Sequence, residues 1–265
     1  MENYGLDLPA YPKQEEKMPK NALENSELII GRNPIYEALK AKRELNQLFV
    51  ARGERGGSIE KIIALAKQNK IPIKEVDAKK LDYMSSGGVH QGVAAFCAAH
   101  EYSTVEEILE CARERGEEPF IILLDEIEDP HNLGAIIRTA DAAGAHGVII
   151  PERRSAALTG VVAKASAGAL EYVKVARVTN LVSTIKDLKK EGVWIYCSDM
   201  DGTDYRKADF SGAAALVIGN EGKGVRPLVK ENCDMIVSLP MKGKINSLNA
   251  SVAAAILMYA AADGR

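Results

Sequence analysis

From Phe120 to Met241 the chain repeats one pattern six times: a short apolar run without polar alternation, closed by turn residues. The runs are FIILLDEI, GVIIP, EYVKVARV, VWIYCSDM, AALVIGN and MIVSLPM, and helical segments separate most of them. A strand that is apolar at every position must be covered on both faces. The pattern therefore predicts an α/β fold with a mostly parallel sheet and helices on both sides. Read from the pattern alone, the sheet is open and doubly wound. Such sheets bind ligands beyond the carboxyl ends of their strands, and the polar motifs of this sequence fall at those ends.

Upstream, the first 26 residues are polar, hold three prolines and follow neither apolar period, which predicts a disordered tail over 1–26. A small α/β module follows over 27–100, with ELII, NQLFVAR, IPIKEVD and VAAFCAA as strands and NPIYEALKAK and SIEKIIALAKQNK as helices. Residues 101–118 read as an amphipathic linker helix, closed by Gly116 and Pro119, that leads into a larger module over 119–265. The net charge of −3 conceals an uneven distribution. Residues 27–100 hold twelve basic and eight acidic side chains, whereas 101–265 hold nineteen and twenty-four. A basic module joined to an acidic one suits a polyanion held mainly by the first. Arg32, Lys40, Lys42, Arg43, Arg52 and Arg55 crowd its first half.

Composition narrows the classes further. The four cysteines and four histidines are scattered, without the close spacing of a metal or redox motif, so no metal site and reduced thiols are expected. No charged-then-apolar leader opens the chain, and no apolar stretch is long enough to span a bilayer. A cytoplasmic protein without membrane contact is the expectation.

The first polar motif is DPHNLGAIIRTADAAGAHGVII, where the strand Ile121–Leu124 gives way to a helix ending near Gly144. Asn132 is placed to cap that helix. Arg138 sits mid-helix among small and apolar residues. A buried arginine is costly unless paired, so it either reaches solvent at the helix edge or holds an anion. No G-x-G-x-x-G follows the strand, which disfavours an ordinary dehydrogenase. The second motif, VIGNEGKGVRP, runs a strand into a loop where Gly219, Gly222 and Gly224 allow close backbone approach to a ligand, or simply a turn. Glu221 would repel a phosphate there. The third, SLPMKGKINSLNAS, opens the apolar run VAAAILMYAAA and brings Asn246, Ser247, Asn249 and Ser251 to the mouth of one helix. Capping uses one such residue, so the surplus marks a place where something polar docks. Three polar strand ends at one sheet edge would make a pocket of amides, hydroxyls, one carboxylate and one guanidinium. With no paired nucleophile and base, such a pocket suits transfer of a group that a cofactor has already activated, and methyl transfer from S-adenosylmethionine fits.

The motifs DPHNLGAIIRTADAAGAHGVIIP, LVIGNEGKGV and SLPMKGKINSLNASVAAAI resemble, in order and spacing, those of the SpoU/TrmH family of RNA ribose 2′-O-methyltransferases, across about residues 119–262. IIGRNPIYEALKA and HQGVAAF are similar to the small ribosomal-protein-like RNA-binding domain of the branch that modifies large-subunit ribosomal RNA. The resemblance implies a SPOUT-type deep trefoil knot, which pattern reasoning would not choose because true knots are nearly absent among proteins. It implies S-adenosylmethionine as cofactor, with Gly219, Asn220, Leu239, Met241 and Leu248 at its site. It further implies Asn132, Arg138, Glu221, Ser247 and Asn249 as catalytic-site residues, with Arg32, Asn33 and Arg52 as RNA contacts on the small domain. The family casts the matching arginine as the base for the 2′-hydroxyl. A guanidinium gives up its proton only far above neutral pH, so binding the adjacent phosphate and orienting the hydroxyl is an equal role for Arg138.

The resulting expectation is a homodimer that methylates a ribose, of a guanosine by the family branch, in large-subunit (23S) ribosomal RNA. The final helix is apolar nearly all round, and so large an apolar surface is seldom left to water. A transfer-RNA methyltransferase and a non-catalytic RNA-binding assembly protein are the competing readings.

Overall fold

In the computed structural model of the protein the described residues are 26–53, 56–244 and 247–265. Nearly all of the stretch read as a tail lies outside them, as do Arg55 and Asn246.

The N-terminal module contains β1 (Ser26–Ile30), α1 (Arg32–Lys40), β2 (Leu45–Ala51), α2 (Ser58–Gln68), β3 (Ile73–Val76), α3 (Ala78–Met84) and β4 (Val93–Ala98). Its sheet has the order β1-β4-β2-β3, with β4 antiparallel to both neighbours and β2 parallel to β3. Helix α4 (Val105–Arg115) follows. It starts with a capping box between Thr104 and Glu107 and stops where Gly116 turns left-handed at φ 67°.

The C-terminal module contains β5 (Phe120–Asp125), α5 (Pro130–Ala142), β6 (Gly147–Pro151), α6 (Gly160–Ala165), β7 (Lys174–Val178), α7 (Leu181–Lys190), β8 (Trp194–Asp204), β9 (Ala214–Gly219), α8 (Pro227–Glu231), β10 (Met235–Ser238) and α9 (Ala250–Asp263). Its six strands take the order β10-β8-β9-β5-β6-β7, and every pair is parallel. The period of two explains the unbroken apolar runs. Phe120, Ile122 and Leu124 point to one face with Leu216 and Ile218, where Leu133, Ile137 and Leu257 of α5 and α9 cover them. Ile121 and Leu123 point to the other with Val217, under Ile108, Ile185 and Val229 of α4, α7 and α8. The helices therefore lie on both faces, and the linker helix α4 is part of one of those layers.

Three of the element ends that differ from the sequence reading belong to the large sheet. The run EYVKVARV opens as a 3-10 turn at Ala169–Glu171 and becomes strand only at Lys174. Strand β8 continues to Asp204 and β10 stops at Ser238. The last two are linked: the β10–β8 register shifts between Ile236 and Val237, so the shorter strand is matched by two separated stretches of the longer one.

The modules meet where β1 packs on α6. Arg43, counted among the basic residues of the first module, is turned into this junction. Its guanidinium donates to Glu171 at 2.9 Å, to the Ala98 carbonyl at 2.6 Å and to Glu27 at 3.4 Å. The hydroxyl of Tyr172 donates to Glu37 at 2.5 Å across the same boundary.

Candidate active site

Three loops follow β5, β9 and β10, and their side chains bond to one another. Helix α5 is capped by Asp129, whose carboxylate accepts from the His131 amide at 2.8 Å, with Pro130 at the first helical position. The cap expected at Asn132 is thus taken by a residue three positions earlier. That frees the buried Asn132 side chain for a longer reach. Its Nδ2 donates to Glu221 Oε1, and its Oδ1 accepts from Asn249 Nδ2 at 3.0 Å.

Asn249 is the N-cap of α9. Its Oδ1 accepts from the Ser251 amide at 3.0 Å, the Val252 amide at 3.4 Å and the Ser251 hydroxyl at 2.6 Å. Its Nδ2 donates again, to Glu221 at 2.9 Å. The polar surplus at this helix mouth now divides: Asn249 caps and cross-links, Ser251 braces the cap, and Ser247 lines a cavity. Glu221 Oε1 also accepts from the Ala250 amide at 3.4 Å. The carboxylate therefore sits at the positive end of α9, the position a phosphate would otherwise favour.

Beside this cluster is a cavity of about 310 Å³. Gly219, Asn220, Glu221, Leu239, Met241, Ser247 and Leu248 line it, drawn from the second and third motifs. Asn220 acts mainly on its own loop: Oδ1 accepts from the Gly222 and Lys223 amides at 2.9 and 3.3 Å, and Nδ2 donates to the Glu126 carbonyl at 3.2 Å. The loop folds back so tightly that a Cβ at Gly219 would come 2.3 Å from the Gly224 carbonyl carbon. Only glycine permits that approach. Ile218, Leu239 and Leu248 give the cavity apolar walls, while Asp199, Glu221 and Ser247 bring oxygen acceptors. That mixture fits a ligand with a flat apolar part, hydroxyls and positive charge.

Two side chains at the site were not singled out in the sequence. Asp125, at the end of β5, is fully buried and receives the Arg226 backbone amide at 2.8 Å and its Nε at 2.8 Å, which pins the far end of the glycine loop. A carboxylate closing a wholly apolar strand has to find such a partner, and this is the signal that could have revealed it. Asp199 enters the cavity wall from β8, a strand whose end carried no motif.

Arg138 resolves toward the first of its two alternatives. It lies exposed on α5, does not line the cavity, and makes no hydrogen bond or ion pair among the described residues. Of the residues implied as catalytic, Asn132, Glu221, Ser247 and Asn249 come together and Arg138 stands apart from them. On the first module, Arg32 bonds to Gln91 through its amide and its Nε, each at 2.9 Å, Arg52 lies 3.8 Å from Asp77, and Asn33 is exposed. None of the three lines the cavity. Among the described residues no group of three or more His, Cys, Asp or Glu is placed to hold a metal ion.

The sequence model described as "SpoU rRNA Methylase family" matches residues 119–259, and that described as "RNA 2'-O ribose methyltransferase substrate binding" matches 28–103. The chain belongs to the SpoU rRNA methylase family. It is 51% identical over 232 residues to a protein of Bacillus subtilis assigned to the TrmH family of tRNA/rRNA methyltransferases, covering 87% of this chain and 93% of that one. Among solved structures it is similar to an AdoMet-bound rRNA methyltransferase from Sinorhizobium meliloti, with a TM-score of 0.74 at 25% identity over 90% of this chain and 87% of the other. It is also similar to an RNA 2′-O ribose methyltransferase, with a TM-score of 0.76 at 25% identity over 91% and 89%.

Proposed function

We propose that this chain transfers a methyl group from S-adenosylmethionine to the ribose 2′-hydroxyl of a guanosine in large-subunit ribosomal RNA. The observation that carries the reading is the bonded cluster Asn132–Glu221–Asn249, which draws one residue from each of the three motifs and stands at the edge of the cavity. Leu239, Leu248 and Met241 would hold the cofactor's flat base, and the glycine loop would lie along its backbone. Once bound, the cofactor supplies a sulfonium-activated methyl group, so the protein's work is positioning and proton handling. Glu221, fixed by three donors, orients the loop beside the reacting ribose. Ser247 brings a hydroxyl to the cavity wall that can hold the nucleotide. Arg138, exposed on α5, meets the RNA phosphate next to the target and orients the 2′-hydroxyl.

The exposure of Arg138 fits a homodimer. On α9, Val252, Ile256 and Tyr259 form an exposed apolar stripe, 46%, 37% and 50% accessible, on a helix that packs against α5. A second copy seated there would cover the stripe and bring each Arg138 to the edge of a site. We further infer the SPOUT-type knot, a reading supported by the match of residues 119–259 to the SpoU methylase family. The 27–100 module then serves as the small RNA-binding domain, and residues 101–118, with helix α4, as its link to 119–265. Among the described residues no helix is long and apolar enough to cross a membrane, and the four cysteines are unbridged, which supports a cytoplasmic setting.

Tritiated methyl transfer onto separated ribosomal and transfer RNA pools, followed by mapping of the modified ribose, tests the reading. Label on large-subunit ribosomal RNA at a guanosine is expected. Label on transfer RNA overturns the substrate, and no label on either overturns the activity.

A further inference from the structure

The cavity holds one carboxylate that the three motifs do not explain. Asp199 sits near the carboxyl end of β8's first paired stretch and lines the cavity beside Gly224. Its Oδ1 is committed: the Lys230 ammonium lies 2.9 Å away, and the Asp201 amide donates at 3.2 Å. Its Oδ2 is the oxygen nearer Gly224, another residue of the cavity wall, and a Cβ there would come 3.9 Å from it. Gly224 has φ 68° and no side chain, so no Cβ from this residue stands beside the oxygen. Burial alone would raise the Asp199 carboxyl. The hydrogen bonds from Lys230 and from backbone amides outweigh that and keep it below the usual carboxylate range, so the acceptor is ionised at neutral pH.

We propose that Asp199 Oδ2 accepts hydrogen bonds from the vicinal hydroxyls of the cofactor's own ribose, making Asp199 a cofactor-positioning residue. This rests on the reading of the cavity as an S-adenosylmethionine site. The chemistry favours a diol over the cofactor's ammonium or sulfonium. The Asp199 charge is already balanced by Lys230, which weakens the attraction for a second cation but leaves the lone pairs of Oδ2 to hydroxyl donors. An acidic side chain at the carboxyl end of a parallel strand meets ribose hydroxyls in dinucleotide sites by the same logic. Glu221, the other carboxylate of the cavity wall, is turned to Asn132, Asn249 and the Ala250 amide instead.

Calorimetry on the full chain tests this, with S-adenosylhomocysteine, its 2′,3′-dideoxy analogue and 5′-methylthioadenosine as probes. If the wild type binds none of them, the cofactor reading itself fails. If it binds, Asp199→Asn should weaken S-adenosylhomocysteine about ten-fold and methylthioadenosine, which keeps the diol but lacks the amino acid, by the same factor, the loss of roughly one charge-assisted hydrogen bond. The dideoxy analogue should bind both proteins within two-fold of each other. A loss shared by S-adenosylhomocysteine and its dideoxy analogue but spared in methylthioadenosine assigns the carboxylate to the ammonium and overturns the proposal, as does equal binding of all probes by both proteins. Should Asp199→Asn melt below assay temperature, the wild type alone decides: it should bind the dideoxy analogue about ten-fold more weakly than S-adenosylhomocysteine, and indifference to the missing hydroxyls overturns the proposal.

Discussion

Two polar clusters fasten separate parts of this chain, and they leave their charged groups in opposite conditions. At the candidate site, Glu221 is exposed and its hydrogen bonds among the described residues come from neutral donors, the amides of Asn132 and Asn249 and the backbone of Ala250. At the junction of the modules, Arg43 serves both Glu171 and Glu27 with little access to water, their side chains being 9%, 6% and 15% exposed. Burial pushes both of those carboxyls up against the pull of the shared guanidinium, and Glu27 Oε1 is buried with no hydrogen-bond partner among the described residues. The first cluster keeps a charge near a cavity where a ligand can use it. The second spends its charges on one fixed contact, where losing a single member strands the rest in a dry setting.

The contrast breaks most visibly at its two arginines. Arg138 is exposed and unpaired among the described residues, so Arg138→Ala should leave the melting temperature unchanged. Methyl transfer should fall by about a thousand-fold while cofactor affinity stays within a few-fold. Near-normal turnover would remove Arg138 from the site. Arg43→Met should do the reverse. It should cost about 3–5 kcal/mol in urea unfolding, because two buried carboxylates lose their cation, with cofactor affinity within three-fold. If Arg43→Met instead lowered turnover in a protein of full stability, the junction would belong to the site and the distinction would fall.

A smaller effect sharpens the account of Glu221. Asn249→Ala removes the α9 cap and one of the donors on Glu221, so about 1–2 kcal/mol of stability should be lost. Cofactor affinity should also drop, since the capped helix start lines the cavity. Asn249→Asp keeps a capping oxygen but sets a second carboxylate against Glu221. It should hold stability better than alanine and bind cofactor worse. Equal affinity in the two variants would mean that Glu221 needs no donor from this position.

These two clusters also show what could be read from the chain beforehand. The strand ends and loops of the site are contiguous motifs, so Glu221, Ser247, Asn249 and the cavity-lining Gly219, Leu239 and Leu248 were legible in local sequence, and the six-strand parallel sheet followed from unalternating apolar runs. Asn132 was legible as important and misread in role, because the better cap three residues earlier, Asp129, was hidden by the pull of the motif. The junction was not legible at all. Glu27, Arg43 and Glu171 come from three distant segments, and a lone arginine in a basic stretch gives no sign that tertiary packing will turn it inward. Asp199 escaped for a related reason: its strand end bears no motif, and only the sheet order, which sets β8 beside β9, brings it to the cavity.

The junction makes one last measurable difference, through pH. Burial, with help from the nearby positive charge of Arg43, pushes the His100 imidazole down to about 4 from its ordinary 6.5. In the unfolded chain the ring takes up a proton as pH falls through about 6.5, whereas the folded protein resists protonation until about 4. Between those values the unfolded state holds more protons, so this residue makes stability rise with pH across the window and fall as the solution is acidified. Glu27 and Glu171, with carboxyls raised by burial, work in the opposite sense, since the folded state keeps their protons to higher pH. The imidazole's contribution is therefore isolated by difference, using His100→Asn. On moving from pH 6.5 to 5 the wild type should lose about 1 kcal/mol more stability than the variant, a value discounted from the full shift because the ring is partly exposed. Parallel stability profiles for wild type and His100→Asn would show that water reaches the junction, and the contrast between a dry fastening and a wet site would be lost.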